Sequence, residues 1–195
     1  MISEQISSFL KERINAGDFP SAVYLVAEKG EIVFQDALGF AVVEPKRIEA
    51  HVDSIYDLAS LTKVLVVGLL TAILVENAKM ILDESVSKHL RSIVPNEKGD
   101  ISILDLLRHT SGFQGWVPFY LLVMSRSDVL GEIMQTPLVD EQWELLEELD
   151  AVMTTPLPEK PAPVLYSDLN FLTLMFIIER LMDKRIDEVA SQLIF

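Results

Sequence analysis

Hydrophobic positions follow a helical spacing at the start of the chain, where Ile2, Ile6, Phe9, Leu10 and Ile14 share one face. Ser3 is placed to cap this helix and Gly17 to end it, and Phe19-Pro20 closes the segment. The pattern then changes. Ser21 to Glu28 is rich in Val, Tyr and Leu, Lys29-Gly30 marks a turn, and Glu31 to Leu38 resumes with Ile32, Val33 and Phe34. This predicts a β-hairpin whose second strand stops at Gly39. Val42 to Val52 reads as a polar connector.

From there the spacing is helical to the end. Val64 to Val75 is apolar almost throughout and shows little striping, so it predicts a helix buried on most sides. It is too short to cross a bilayer, which takes about 18 or more apolar residues. Glu76 and Asn77 end it, Asn being a residue that tolerates the left-handed conformation of a helix stop. Short helices are predicted over Ser85–Ile93, Ile101–Arg108, Tyr120–Met124 and Val129–Met134. His109-Thr110-Ser111-Gly112 forms a turn-rich bend between them. Glu141 to Val152 is an acidic amphipathic helix with a solvated face, and Pro156, Pro158, Pro161 and Pro163 enforce an extended loop. Apolar helical spacing returns at Ser167–Arg180 and again from Ile186 to Phe195. A two-stranded hairpin is marginal in water by itself, and no further convincing strand is present to support it.

Composition narrows the function. The length of 195 residues suggests one domain or little more, and 50% hydrophobic residues are enough for a substantial core. The net charge is −14 with no basic stripe, which disfavours polyanions such as nucleic acid. There is no Cys, so disulfides and thiolate metal sites are excluded. His51, His89 and His109 lack metal-ligand spacing, and no metal or other cofactor is called for. Met1 to Ala16 carries no signal-peptide pattern, which as written points to the cytoplasm.

The candidate chemistry lies at the head of the apolar segment, in Ser60-Leu61-Thr62-Lys63. On a helix Ser60 and Lys63 share a face, roughly 5–6 Å apart between Cβ atoms. A serine hydroxyl needs a partner to take its proton, and an amine at that distance can do so when burial keeps it partly neutral. The positive end of the helix would favour a developing alkoxide. A bare Ser-x-x-Lys is common, however, and a serine opening a helix is ordinarily an N-cap. Alone, the motif favours the capping reading, and the case for chemistry depends on what surrounds it.

Several segments together resemble the serine β-lactamase superfamily, in its branch of class C β-lactamases, D-alanyl-D-alanine carboxypeptidases and family VIII esterases. Ser21-Ala22-Val23 through Gly39-Phe40-Ala41 is similar to the opening hairpin of that branch, and Ile55 through Lys63 to its nucleophile segment. Ile81-Leu82-Asp83-Glu84-Ser85-Val86 and Leu106-Leu107-Arg108-His109-Thr110-Ser111-Gly112 resemble later stretches. Tyr166-Ser167-Asp168 resembles the second catalytic motif, Tyr-x-Asn, with Asp168 where the motif has Asn. The Pro-Gly pair that usually precedes the Tyr is missing, although Pro161 and Pro163 are present. The third motif, Lys-Thr-Gly or His-x-Gly, would fall after Phe195.

The resemblance implies an α/β, β-lactamase/transpeptidase-like fold with an antiparallel sheet and a helical region, cut before the C-terminal strands. Residues 1–45 would supply a helix and hairpin of the sheet region, and 46–195 mainly the helical region. It also implies a serine hydrolase in which Ser60 forms an acyl ester and Lys63 and Tyr166 shuttle protons. Asp168 would sit at the substrate. Ionised, it accepts hydrogen bonds but cannot donate, and it favours a protonated Lys63. That points toward esterase-like or weak activity rather than efficient β-lactam hydrolysis. The acyl substrate is a β-lactam, a D-Ala-D-Ala peptide or an ester, and members of this branch are often exported. Turnover by this chain is expected to be impaired, and its incomplete sheet to invite self-association or complementation in trans. A non-catalytic remnant or interaction module with the same fold is the alternative. His109 is read as part of a structural turn; Trp116, Phe119 and Tyr120 fit a cleft wall or core packing equally well.

Overall fold

In the computed structural model, which describes residues 2–90, 94–95, 98–121, 125–135 and 164–195, the first run of helical spacing becomes α1 (Ile2–Ala16). The helix starts at Ile2, so Ser3 lies inside it and not at its cap. Gly17 ends it at φ +86°, with its N–H donating to the Ile14 carbonyl. The chain forms two compact units, Met1–Leu58 and Ala59–Phe195.

In the first unit, β1 (Ser21–Glu28) and β2 (Glu31–Val42) pair antiparallel, from Ser21 opposite Gly39 to Glu28 opposite Glu31. Ser7 ties α1 to both strands: its hydroxyl donates to Asp36 at 2.7 Å and lies 2.6 Å from the Tyr24 hydroxyl. The second strand does not stop at Gly39. Gly39 sits inside it at φ +79°, where a Cβ would run into the Pro20 carbonyl oxygen. That carbonyl accepts from the Phe40 N–H at 2.9 Å, so the glycine permits a close backbone approach within a strand. A third strand, β3 (Ile48–Glu49), pairs with β2 inside the expected connector. It is two residues long, too short to show alternation. The sheet order is β1-β2-β3, which leaves β1 as an edge among the described residues. Leu25, Ile32 and Val33 of the hairpin are more than half exposed.

The second unit is built around α6 (Asp168–Met182), whose Leu169, Leu174, Ile177 and Ile178 are fully buried. Against it pack α3 (Val86–Leu90), α4 (Ile103–Arg108), α5 (Arg126–Gln135) and α7 (Ile186–Leu193). A 3-10 turn, Phe119–Leu121, stands where Tyr120–Met124 was expected to be helical, and residues 122–124 fall outside the described part. The expected acidic helix Glu141–Val152 and the proline-rich loop also lie outside it.

The apolar run Val64 to Val75 splits into a π-helical segment, Lys63–Gly68, and α2 (Leu69–Glu76). It is not buried on most sides. Val67, Leu70, Thr71 and Leu74 face the core, while Val64, Leu65 and Leu69 are 65%, 40% and 43% exposed. The buried set is an ordinary helical stripe, and the apolar residues on the opposite face conceal it in the sequence. The left-handed residue after α2 is Ala78 at φ +53°, one position beyond Asn77. No described helix is long and apolar enough to cross a membrane.

Lys98 had no place in the sequence reading, yet it is 2% exposed. Its ammonium donates to the Met134 and Ile133 carbonyls at 2.6 and 3.2 Å, near the end of α5, and lies over the Phe113 ring. Those carbonyls belong to the helix end, where the last C=O groups lack helical partners.

Candidate active site

Ser60 sits in a tight turn ahead of the π-helical segment. Thr62 N–H donates to the Ala59 carbonyl at 3.1 Å, and Lys63 N–H to the Ser60 carbonyl at 3.0 Å. Ala59, just before the serine, holds φ +43°, a conformation that costs an L-residue roughly 1–2 kcal/mol. The helix cap is Thr62, which makes no side-chain capping bond, and the Ser60 hydroxyl accepts from Lys63 Nζ at 2.8 Å. The serine is thus engaged by the amine and is otherwise exposed.

Lys63 gathers the other candidates. Its Nζ lies 2.7 Å from Asp168 Oδ1 and 4.9 Å from the centroid of the Tyr166 ring. The Lys63 side chain is 14% exposed, that of Asp168 38%. Burial works to lower the Lys63 pKa, but the hydrogen bond to Asp168 and the neighbouring Tyr166 outweigh it, so the ammonium is held above the ordinary lysine range. In the resting site Lys63 is therefore charged and donates to both Ser60 and Asp168. All four residues selected from the sequence, Ser60, Lys63, Tyr166 and Asp168, meet around this one ammonium.

The segment carrying Tyr166 and Asp168 is fastened to the bend after α4. Ser102 caps α4 in a reciprocal box with Asp105, and the helix ends at His109 in the left-handed conformation, φ +60°. From this bend the His109 carbonyl accepts the Leu165 N–H at 2.9 Å, and the Gly115 carbonyl accepts the Asp168 N–H at 2.8 Å. The Ser167 hydroxyl donates to the Gln114 carbonyl at 2.6 Å and caps α6 by accepting from the Asn170 N–H. A Cβ on Gly115 would press on the Tyr166 carbonyl oxygen at 3.2 Å, so the two strands of chain run close together.

Sequence reasoning missed the residues that lock this join. Asn170 is fully buried, and its carbonyl oxygen accepts from the Ser111 hydroxyl at 2.6 Å. The available signal was an amide within an otherwise apolar helix face, since a buried amide needs partners. Among the described residues no cluster of three or more His, Cys, Asp or Glu side chains is arranged to hold a metal ion.

Comparison with known proteins bears on the family and the fold. The chain is 27% identical over 204 residues to a Salmonella paratyphi A protein named "Putative D-alanyl-D-alanine carboxypeptidase", covering 98% of this chain and 44% of that one. Among solved structures it is similar to EstCE1, a hydrolase with promiscuous acyltransferase activity, with TM-score 0.75, 20% identity and coverage of 98% and 50%. It is also similar to the octameric penicillin-binding protein homologue from Pyrococcus abyssi, with TM-score 0.70, 20% identity and coverage of 100% and 42%. At such identities the structural matches speak for the fold, which is that of β-lactamases and penicillin-binding proteins. The chain spans about half the length of these relatives. The Beta-lactamase family model matches residues 6–195, nearly the whole sequence, and the chain belongs to that family.

Proposed function

We propose that this region carries out acyl transfer through an ester on Ser60. The observation that carries the reading is the convergence of Ser60 Oγ and Asp168 Oδ1 on Lys63 Nζ, at 2.8 and 2.7 Å. Ser60 Oγ attacks the acyl carbonyl and the Oγ–C bond forms. The serine proton leaves through Lys63, once that amine is neutral, or through Tyr166, and passes to the leaving group as its bond to the acyl carbon breaks. Water then adds to the ester by the reverse proton route and releases Ser60. The Ser60 backbone N–H supplies one donor to the oxyanion.

Asp168 bears on the substrate class. An ionised carboxylate cannot donate to a substrate amide carbonyl, and it repels the carboxylate of a β-lactam or a peptide terminus. A neutral ester suits the site better than either. The same carboxylate keeps Lys63 charged, and that observation favours the second reading, a non-catalytic module with this fold.

Since the chain spans about half its relatives' length, we expect the 195 residues alone to acylate and then turn over slowly. A short-chain nitrophenyl ester should give a burst of about one equivalent of nitrophenol followed by a slow phase, absent in Ser60→Ala. Equal release by wild type and Ser60→Ala would favour the non-catalytic module. The β1 edge and the exposed Leu25, Ile32 and Val33 lead us to expect self-association, read by light scattering. A monomer at all concentrations would contradict that expectation.

A further inference from the structure

We infer that His109, as a neutral imidazole protonated on Nε2, is the positioning residue that fixes Tyr166 beside Lys63. The inference rests on the acyl-transfer reading for its functional consequence, and on geometry for the rest.

The Ser167 N–H points at His109 Nδ1 across 3.0 Å. A backbone N–H can only donate, so Nδ1 must be an unprotonated acceptor. Asn170 reaches the same nitrogen at 3.2 Å through its Nδ2. With Nδ1 fixed as an acceptor by Ser167, the amide turns its Nδ2 toward the ring and its oxygen accepts from Ser111 at 2.6 Å. Ser111, Asn170 and Ser167 therefore agree on one tautomer. The His109 carbonyl, on the other side of the same residue, accepts the Leu165 N–H at 2.9 Å. One residue thus holds the backbone on both sides of Tyr166.

The imidazole also touches the Tyr166 side chain. The two rings lie 4.7 Å apart between centroids and tilted by 38°, while Phe171 backs the imidazole at 5.3 Å. Tyr166 is 54% exposed and so has little burial to fix its rotamer. Its ring lies against the His109 ring and beneath the Lys63 ammonium.

The charged and titratable groups facing the imidazole are Lys63, Asp168 and Tyr166. Burial first, and the Lys63 charge second, lower the His109 pKa against the weaker opposing effect of Asp168, so the ring stays neutral where the geometry needs it neutral. A proton on Nδ1 would replace an acceptor by a donor opposite two donors and release the Ser167 contact.

The test uses the 195-residue chain labelled with 15N. In wild type near neutral pH, long-range 15N–1H correlation should place the His109 proton on Nε2, and the Ser167 amide should exchange slowly with solvent. In His109→Leu, which has no acceptor, Ser167 exchange should rise about tenfold or more. Labelling of Ser60 by a fluorophosphonate should fall about ten- to a hundredfold in that variant, the cost expected of a small misplacement. His109→Asn places Oδ1 where Nδ1 stood and tolerates the left-handed backbone, so it should restore both readouts to within about threefold of wild type. A proton found on Nδ1, unchanged Ser167 exchange in His109→Leu, or an Asn variant no better than the Leu variant would overturn the inference. If His109→Leu does not fold, Ser167 protection in His109→Asn decides alone, its retention in support and its loss against. If wild-type Ser60 is never labelled, the acyl-transfer reading fails, while the tautomer and exchange measurements still decide the role of His109.

Discussion

Lys63 Nζ and Asp168 Oδ1 stand 2.7 Å apart, an ion pair made at the spot where the serine hydroxyl also meets the amine. The pair has two consequences of opposite sign. It anchors the start of α6 to the turn that carries Ser60, and it keeps protonated the amine that a serine would need neutral.

Replacing Asp168 with Asn separates the two. Without the carboxylate the Lys63 pKa falls, so the pH–rate profile for Ser60 labelling should move to lower pH. The rate near pH 7 should rise on the order of tenfold. Rate measurements between pH 6 and 10 check this, and an unmoved profile would show that Lys63 and Asp168 are not coupled in the reaction.

The same substitution should slightly weaken the fold. Lys63 has a folded pKa raised above 10.5, so the pair stabilises fully below that pH and loses its effect as pH rises through the folded value. With Asp168 38% exposed, the loss at neutral pH should be about 0.2–1 kcal/mol. Urea unfolding of wild type and Asp168→Asn should converge above pH 10.5.

The α4 cap gives an acid-side counterpart. Burial tends to raise the Asp105 pKa, but hydrogen bonds from Ser102 and Thr110 and the charge of Arg108 outweigh it and hold the carboxyl below its ordinary 3.8. Its stabilisation is present above pH 3.8 and lost as pH falls through the lower folded value. Ser102→Ala should cost about 1 kcal/mol near neutral pH, with a smaller difference below pH 3.8. Thermal unfolding at both pH values reads it out.

Gly39 tests the sheet. At φ +79°, and with the Pro20 carbonyl against its Hα, Gly39→Ala combines backbone strain with a clash. A loss of about 1–3 kcal/mol is expected from urea unfolding. An alanine tolerated without loss would mean that β2 does not pass Pro20 as closely as it does here.

Much of this was legible in the sequence. The hairpin from Ser21 to Leu38 announced itself by two runs rich in β-branched and aromatic residues on either side of Lys29-Gly30, and the spacing of Ser60 and Lys63 put hydroxyl and amine within reach. The chain closed those contacts with a tight turn and a π-helical segment instead of a regular helix, a difference no residue pattern specifies. Gly39 was read as a stop because glycine's two uses, ending a strand and admitting a neighbour, look alike in one dimension. The His109–Ser167 contact spans 58 residues, and Lys98 reaches carbonyls 35 and 36 residues on. Such pairings depend on tertiary packing, and local periodicity carries no trace of them.

Peptide mapping by mass spectrometry after fluorophosphonate treatment tests the central claim most directly. The account predicts one covalent adduct, on Ser60, which is lost in Ser60→Ala and formed faster in Asp168→Asn. An adduct on any other serine with Ser60 unmodified would contradict it.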